Sequence, residues 1–269
     1  MSFDRPEAWA LKHFTSATLL EGFNTPRTRE RGSVDLEFEA GWLPPLSEAQ
    51  QRVGFNGTDA QDLNHAPLLV RPRVTIGLPG RLALTVAAVP PVRLFGIKAL
   101  LGAIALERPL HESPVWTLGV RGYGQLGHVE GAFTCPRNVL VFDPGSPDNM
   151  AGCQAESSDV ATFRYAGVET GFGYRTRSRL SPHAAVSVNY LVLAFQVNAL
   201  TFGYVDRTRL VAQGMTMAAS AGLACRLTPR VGATLDVFYT PLSVRRSFGA
   251  PIRNDALLTV RALISYRLR

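Results

Sequence analysis

Acids and arginines recur at every second position in several stretches of this chain. Asp35, Glu37 and Glu39 share one parity, Arg71 and Arg73 share another, and Arg261 and Arg267 do so near the end. In an extended strand alternate side chains share a face, so each set stands on one side of its strand. A face that mixes carboxylates with guanidiniums has two uses. It can neutralise itself as an ion-pair network, or it can line a passage that selects small polar solutes. Lys98, Arg121, Glu169, Arg175 and Asp236 lie in similar segments and are predicted to join the same face.

Other chemistry is sparse. The histidines are His13, His65, His111, His128 and His183, and none stands in a Cys/His spacing that holds zinc. No metal and no cofactor is expected. A nucleophile elbow needs Gly-x-Ser-x-Gly on a strand-to-helix turn. The nearest match, Ala218 to Gly222, reads as mid-strand, so a Ser/His hydrolase finds no support. Cys135 and Cys153 both fall in a long Pro/Gly-rich segment. They are predicted to form a disulfide, worth about 3 kcal/mol in the chain-entropy model. Cys225 falls in an apolar series and is predicted to be inert.

The elements that must position these residues are strands. The chain has 269 residues, 46% hydrophobic and 18% charged, too apolar for disorder. Its longest apolar run, about 99–106, is far short of the ~18 residues of a membrane-spanning helix. If the chain crosses a membrane, the remaining solution is a closed barrel, because every backbone group must be paired. The net charge of +7 comes almost wholly from arginine, with Lys12 and Lys98 the only lysines. The arginines are scattered, and no zinc-finger spacing, RNP-type motif or recognition-helix pattern accompanies them. No nucleic-acid partner is expected.

Period-two alternation is the dominant signal. Val34, Leu36, Phe38, Ala40 and Trp42 oppose Ser33, Asp35, Glu37, Glu39 and Gly41. The same alternation runs over 214–223, 231–239 and 257–268, and more noisily over 67–78, 81–90, 94–107, 114–128, 160–176 and 182–195. The polar series is rich in Gly, Ala, Ser and Thr, which suits a crowded interior better than the solvated surface of a lipocalin-like barrel or a sandwich. Connections alternate in length, apart from Pro90 to Arg93. Residues 78–81, 108–113, 177–181 and 227–230 are short, whereas 43–66, 128–159, 196–208 and 241–255 are long. The predicted fold is all-β, a closed antiparallel transmembrane β-barrel of about ten strands, with short periplasmic turns and long outer loops. Residues 32–269 form the barrel, and residues 1–31 are placed as an N-terminal segment on the periplasmic side. Trp42 and Tyr239 are predicted at the outer interface, and Trp116, Tyr174 and Tyr266 at the inner one. Pro72 is predicted to force a bulge.

By this pattern the chain resembles the bacterial outer-membrane β-barrel superfamily over roughly 32–269. The segment Leu257 to Arg269 resembles the terminal strand read by the barrel-assembly machinery, although it ends Leu-Arg rather than on an aromatic. The resemblance implies a bacterial outer-membrane location, with the bilayer and lipopolysaccharide as partners and the assembly machinery as a transient one. It leaves activity open, between a non-enzymatic structural, adhesive or narrow-channel role and a hydrolase. A ten-stranded barrel is comparable with the omptin proteases, which use acids and a histidine at the outer rim, and His128, Asp206 and Asp255 are the residues predicted near that rim. No signal peptide opens the sequence, so a leader is expected to have been removed or to lie upstream. In the lumen, Glu37 and Glu39 are expected to pair with Arg71 and Arg73, and Asp35 to lie toward Arg261 and Arg267.

Overall fold

A computed structural model describes the chain apart from Phe55, Asp62, His65, Ala66, Phe95, Arg177, Ser178, Phe248 and Arg269. His65, one of the histidines considered above, and Arg177 of a predicted turn thus lie outside the described residues. Ten long strands form the wall: β1 (Val34–Trp42), β2 (Leu68–Leu78), β3 (Leu82–Val89), β4 (Ile97–Glu112) and β5 (Trp116–Gly131), then β6 (Asp159–Tyr174), β7 (Leu180–Gln196), β8 (Arg209–Arg226), β9 (Val231–Thr240) and β10 (Leu257–Arg267). Each pairs antiparallel with its neighbours in sequence, and β10 pairs with β1 from Asp35↔Arg267 to Trp42↔Val260. The sheet is therefore a closed ring of ten strands with no free edge.

The alternation in sequence becomes an inside and an outside. Along β4, Leu101, Ala103, Ala105 and Glu107 are buried, while Leu100, Ile104 and Leu106 are exposed. The exposed face carries apolar residues around the whole ring, among them Phe38, Val86, Val168, Val188, Met217, Leu235 and Ile264. Trp42 and Tyr239 stand on this outer surface toward the long loops, and Trp116, Tyr174 and Tyr266 toward the short turns. No helix among the described residues is long and apolar enough to cross a membrane.

Local departures from expectation have local causes. Pro72 makes no bulge, since the β1–β2 register runs unbroken through Phe38↔Pro72. The β2–β3 ladder ends at Arg73↔Ala87, so Pro72 stands beyond the edge on which β3 would need a donor. The register shift lies instead at Pro109/His111 in β4, which runs on to Glu112 rather than ending at residue 107. The wall is also uneven in height. Strands β4 to β8 hold 16 to 18 residues, against 8 to 11 in β1, β2, β3, β9 and β10. A tilted strand needs about 9–11 residues to cross a bilayer; β4 extends beyond β3 at both ends, and β8 runs on past the end of β9 toward the long loops, from Ala218 to Arg209.

Residues 1–31 are the main correction. They do not sit beside the barrel on the short-turn side but run through its lumen from the long-loop mouth downward. Helix α1 (Pro6–Ala17) starts with Pro at its first turn and Glu7 beside it, which suits a helix N-terminus. It is buried on nearly every face, so it has no single apolar stripe. On the low side of the wall it packs Trp9, Ala10 and Ala17 against Leu43, Leu46, Val53, Leu242 and Val244 of the long loops. The chain then descends as an irregular segment, leaves at the short-turn end and turns into β1.

Candidate functional site: the filled lumen and its short-turn vestibule

The helix is fixed at the long-loop mouth by a mixture of polar and aromatic contacts. Trp9 Nε1 donates to the carbonyl of Asp255 at 2.9 Å, and the Arg246 guanidinium lies 4.2 Å from the Trp9 ring centre. Lys12 Nζ donates to the carbonyl of Ser243 at 2.6 Å. Burial holds the Lys12 ammonium down to about 8. His13 lies between Trp9, tilted against it, and Phe14, edge-on to it, and burial lowers its pKa to about 4. Both values follow from removing water around a cation.

A helix leaves its last carbonyls unpaired, and here the barrel wall supplies the donors. Arg71 Nη1 donates to the Thr18 carbonyl at 2.6 Å, and Arg261 Nη1 and Nη2 donate to Leu19 and Ser16 at 2.7 and 3.0 Å. Tyr165 Oη adds a second bond to Thr18 at 2.9 Å. The guanidiniums also face the negative end of the helix dipole. Their counter-ion is Glu39, which accepts from Arg71 Nε at 2.7 Å and from Arg73, and lies 3.7 Å from Arg261. One acid thus serves three arginines.

Below the helix the contacts reverse, and wall carboxylates accept from the plug backbone. Gly22 N donates to Glu169 at 2.7 Å and Phe23 N donates to Asp236 at 2.7 Å. Arg121 closes the set, donating to the Gly22 carbonyl at 2.8 Å while pairing with Glu107 at 2.7 Å and Glu169 at 2.8 Å. Asp236 also pairs with His183 Nε2 at 2.7 Å. Gly22 has φ +73°, and a Cβ there would meet the Phe238 ring at 2.6 Å. Only glycine fits both the left-handed backbone and the close approach. Glu21 accepts from Tyr123 Oη at 3.1 Å and from Ser187.

The lower lumen opens into a vestibule of about 370 Å³ at the short-turn mouth. Arg29 of the plug pairs with Asp35 and lies 3.9 Å from Glu37 and 3.7 Å from Glu107. Arg267 also pairs with Asp35, at 3.2 Å. Arg27, Arg179, Arg226 and Arg230 line the same cavity.

The predicted lumen residues are therefore sorted differently from expectation. Arg261 turns to Glu39 rather than Asp35. Glu37 stands opposite Arg73 in register, yet its carboxylate takes Thr75 Oγ1 at 3.2 Å and Arg29, because Glu39 has drawn the Arg73 guanidinium upward. Lys98 is not in the lumen. It shares the parity of Leu100 and Ile104 and pairs outside with Glu130 at 3.7 Å. Arg175 lies just past the end of β6, at the short-turn rim with Glu112. Sequence reasoning missed Arg29, Glu21, Glu107, Tyr123 and Tyr165. Glu107 had the right parity in β4, but nothing flagged the plug residues.

The rim residues considered for hydrolysis are not brought together. His128 pairs with Glu130 at 3.3 Å on the outer face, Asp206 caps Thr208 N at 2.7 Å, and Asp255 binds Arg246 and Gln50. Cys135 and Cys153 form a disulfide in the longest loop. Asp159 knits that loop to its neighbour, accepting from Thr134 N at 2.7 Å and Asn198 N at 2.8 Å. Among the described residues no group of His, Cys, Asp and Glu could hold a metal.

No family model matches the chain, and no curated protein does. Among solved structures the chain is similar to Ail, the attachment invasion locus protein of Yersinia pestis (11% identity, 89% of this chain and all of that one, TM-score 0.33). It is also similar to the outer-membrane protease OmpT of Escherichia coli (9% identity, 88% and 94% covered, TM-score 0.40). A third likeness is to the Pseudomonas putida toluene transporter TodX (9% identity, 91% and 92% covered, TM-score 0.38). At these scores the architecture rests on the strand pairing above, and activity does not carry over.

Proposed function

We propose that this chain is a bacterial outer-membrane barrel kept closed by its own N-terminal segment, with a structural or surface-binding role rather than that of a standing pore. The observation that carries this reading is the set of wall-to-plug hydrogen bonds at three levels of the lumen. Arg71 and Arg261 hold the helix end, Glu169 and Asp236 hold Gly22 and Phe23, and Asp35 holds Arg29. The apolar outer face supports a bilayer location, since soluble monomers rarely expose contiguous apolar patches beyond a few hundred Å². The outward aromatics at two levels suit the two membrane interfaces. Lipid and lipopolysaccharide would then be the contacts of the wall, and the barrel-assembly machinery its partner during insertion. The disulfide-tied loop between β5 and β6 would then stand on the outer side.

Planar-bilayer recording with the purified full chain tests the closed state. The expected result is no persistent current above the bare-membrane baseline. A large, steady single-channel conductance from the wild-type protein would overturn this reading and promote a channel.

A further inference from the structure

The vestibule at the short-turn mouth has a surplus of positive charge that the plug network does not use. Its acids, Asp35, Glu37 and Glu107, are already engaged with Arg29, Arg267 and Arg121. Among the described residues no ion pair or side-chain hydrogen bond engages the guanidiniums of Arg27, Arg179, Arg226 or Arg230. Arg27 is the informative one. It is carried in by the plug, and its Nε is buried without a partner. Glu112, the acid whose charge acts on it, is shared by Arg175, Arg81 at 3.4 Å and the Thr28 N–H at 3.2 Å.

A largely buried guanidinium without an anion is costly. Burial, with Arg175 and Arg226 nearby, pushes the Arg27 pKa down from its ordinary value. The rest of the lumen shows the opposite habit, each arginine being met by a carboxylate or a carbonyl. The cavity is ringed by the short-turn ends of the wall strands and floored by the plug. Its acids lie on β1 and β4, and its free donors come from the plug (Arg27), the residue before β7 (Arg179), the end of β8 (Arg226) and the turn after it (Arg230). Guanidinium forks match oxyanions bidentately, and a concavity of this volume lies within the range of small-ligand sites.

We infer that this vestibule binds an oxyanion group of phosphate size, with Arg27 and Arg226 as its principal ligands and Arg179 and Arg230 at the entrance. The group is either free in solution or carried on a lipid headgroup of the adjoining leaflet. The inference is independent of whether the barrel ever conducts, because the cavity ends at the plug.

The test uses the full chain in a zwitterionic detergent. Isothermal titration with inorganic pyrophosphate probes the free anion, and titration with dihexanoyl phosphatidic acid probes the headgroup. Wild type and R27Q/R226Q are compared, with R207Q on the long-loop side as a charge-matched control. The expected result is saturable binding by wild type and by R207Q, weakened about tenfold or more in the double variant. Pyrophosphate binding assigns the site to a free oxyanion. Binding of phosphatidic acid alone assigns it to a headgroup. A second readout guards against a folding defect: replacing chloride with phosphate at equal ionic strength should raise the unfolding temperature of wild type and not that of R27Q. Binding of neither probe, or equal binding by the double variant, overturns the inference.

Discussion

Arg71 Nε donates to Glu39 Oε2 at 2.7 Å, in a pair sealed between barrel wall and plug helix with both side chains at most 1% exposed. Because Glu39 is the shared counter-ion of Arg71, Arg73 and Arg261, its loss leaves three like charges together without an acid. Glu39→Gln is expected to destabilise the barrel by about 3–5 kcal/mol. Glu37→Gln, whose partners are a threonine and a more distant arginine, should cost less. Urea unfolding of the two variants in detergent checks the order, and equal costs would show that Glu39 is not the hub.

His13 gives the plug a pH dependence. Its folded pKa is about 4, against roughly 6.5 when unfolded. The folded state therefore binds fewer protons between these values. The stabilisation is complete above pH ~6.5 and is lost as the pH falls to about 4, by up to ~3 kcal/mol. His13→Phe should flatten the stability profile across that window, as followed by Trp9 fluorescence. An unchanged slope would place the titrating group elsewhere.

Gly22 is the tightest point of the descent. Gly22→Val adds a side chain at φ +73° toward the Phe238 ring and should unseat the lower plug. The expected readout is faster amide exchange at residues 20–25 with the strand ladders still protected. If exchange there is unchanged, the close packing against Phe238 is not what holds the segment.

The outer face sets a separate test. Ala262 points outward between Ala40 and Leu235. Ala262→Arg is expected to cost about 2–4 kcal/mol in a bilayer if it lies near the midplane, and far less in water-facing loops. Folding into vesicles as efficient as that of wild type would reverse the assignment of faces.

Cys153→Ser should lower stability by about 3 kcal/mol at most, in the entropy model. Its effect should be confined to the loop, since Asp159 and Asn149 hold the same segment by hydrogen bonds. Limited proteolysis between residues 136 and 152, compared with and without reductant, reads this directly.

The ring was legible because its two faces meet different surroundings, so parity alone places Phe38 outside and Glu39 inside. Even the pairing partners of β1 could be read, since a closed ring leaves β2 and β10 no alternative. The plug was not legible. A helix buried on every face, with Lys12, His13, Thr15 and Ser16 all enclosed, shows no amphipathic stripe. Leu19, Gly22 and Phe23 are held through their backbone groups, which sequence patterns do not report. Glu37 was misassigned for a related reason. Register fixes which Cα atoms face each other, but Arg73 is long enough to choose the neighbouring acid. Lys98 was misassigned because a charge at the end of an outward series looks, by type alone, like a lumen residue.

The seam between β1 and β10 has a consequence for the order of assembly. It joins the first strand of the wall to the last, and residues 1–31 immediately precede that first strand. A segment so placed need not be passed lengthwise through a finished cylinder. While the two margins are still apart, it can lie across the open sheet, already bonded to Arg71, Arg121 and Glu169, and be wrapped as the margins meet. The wall closes around its own filling, as a hand closes around a rope.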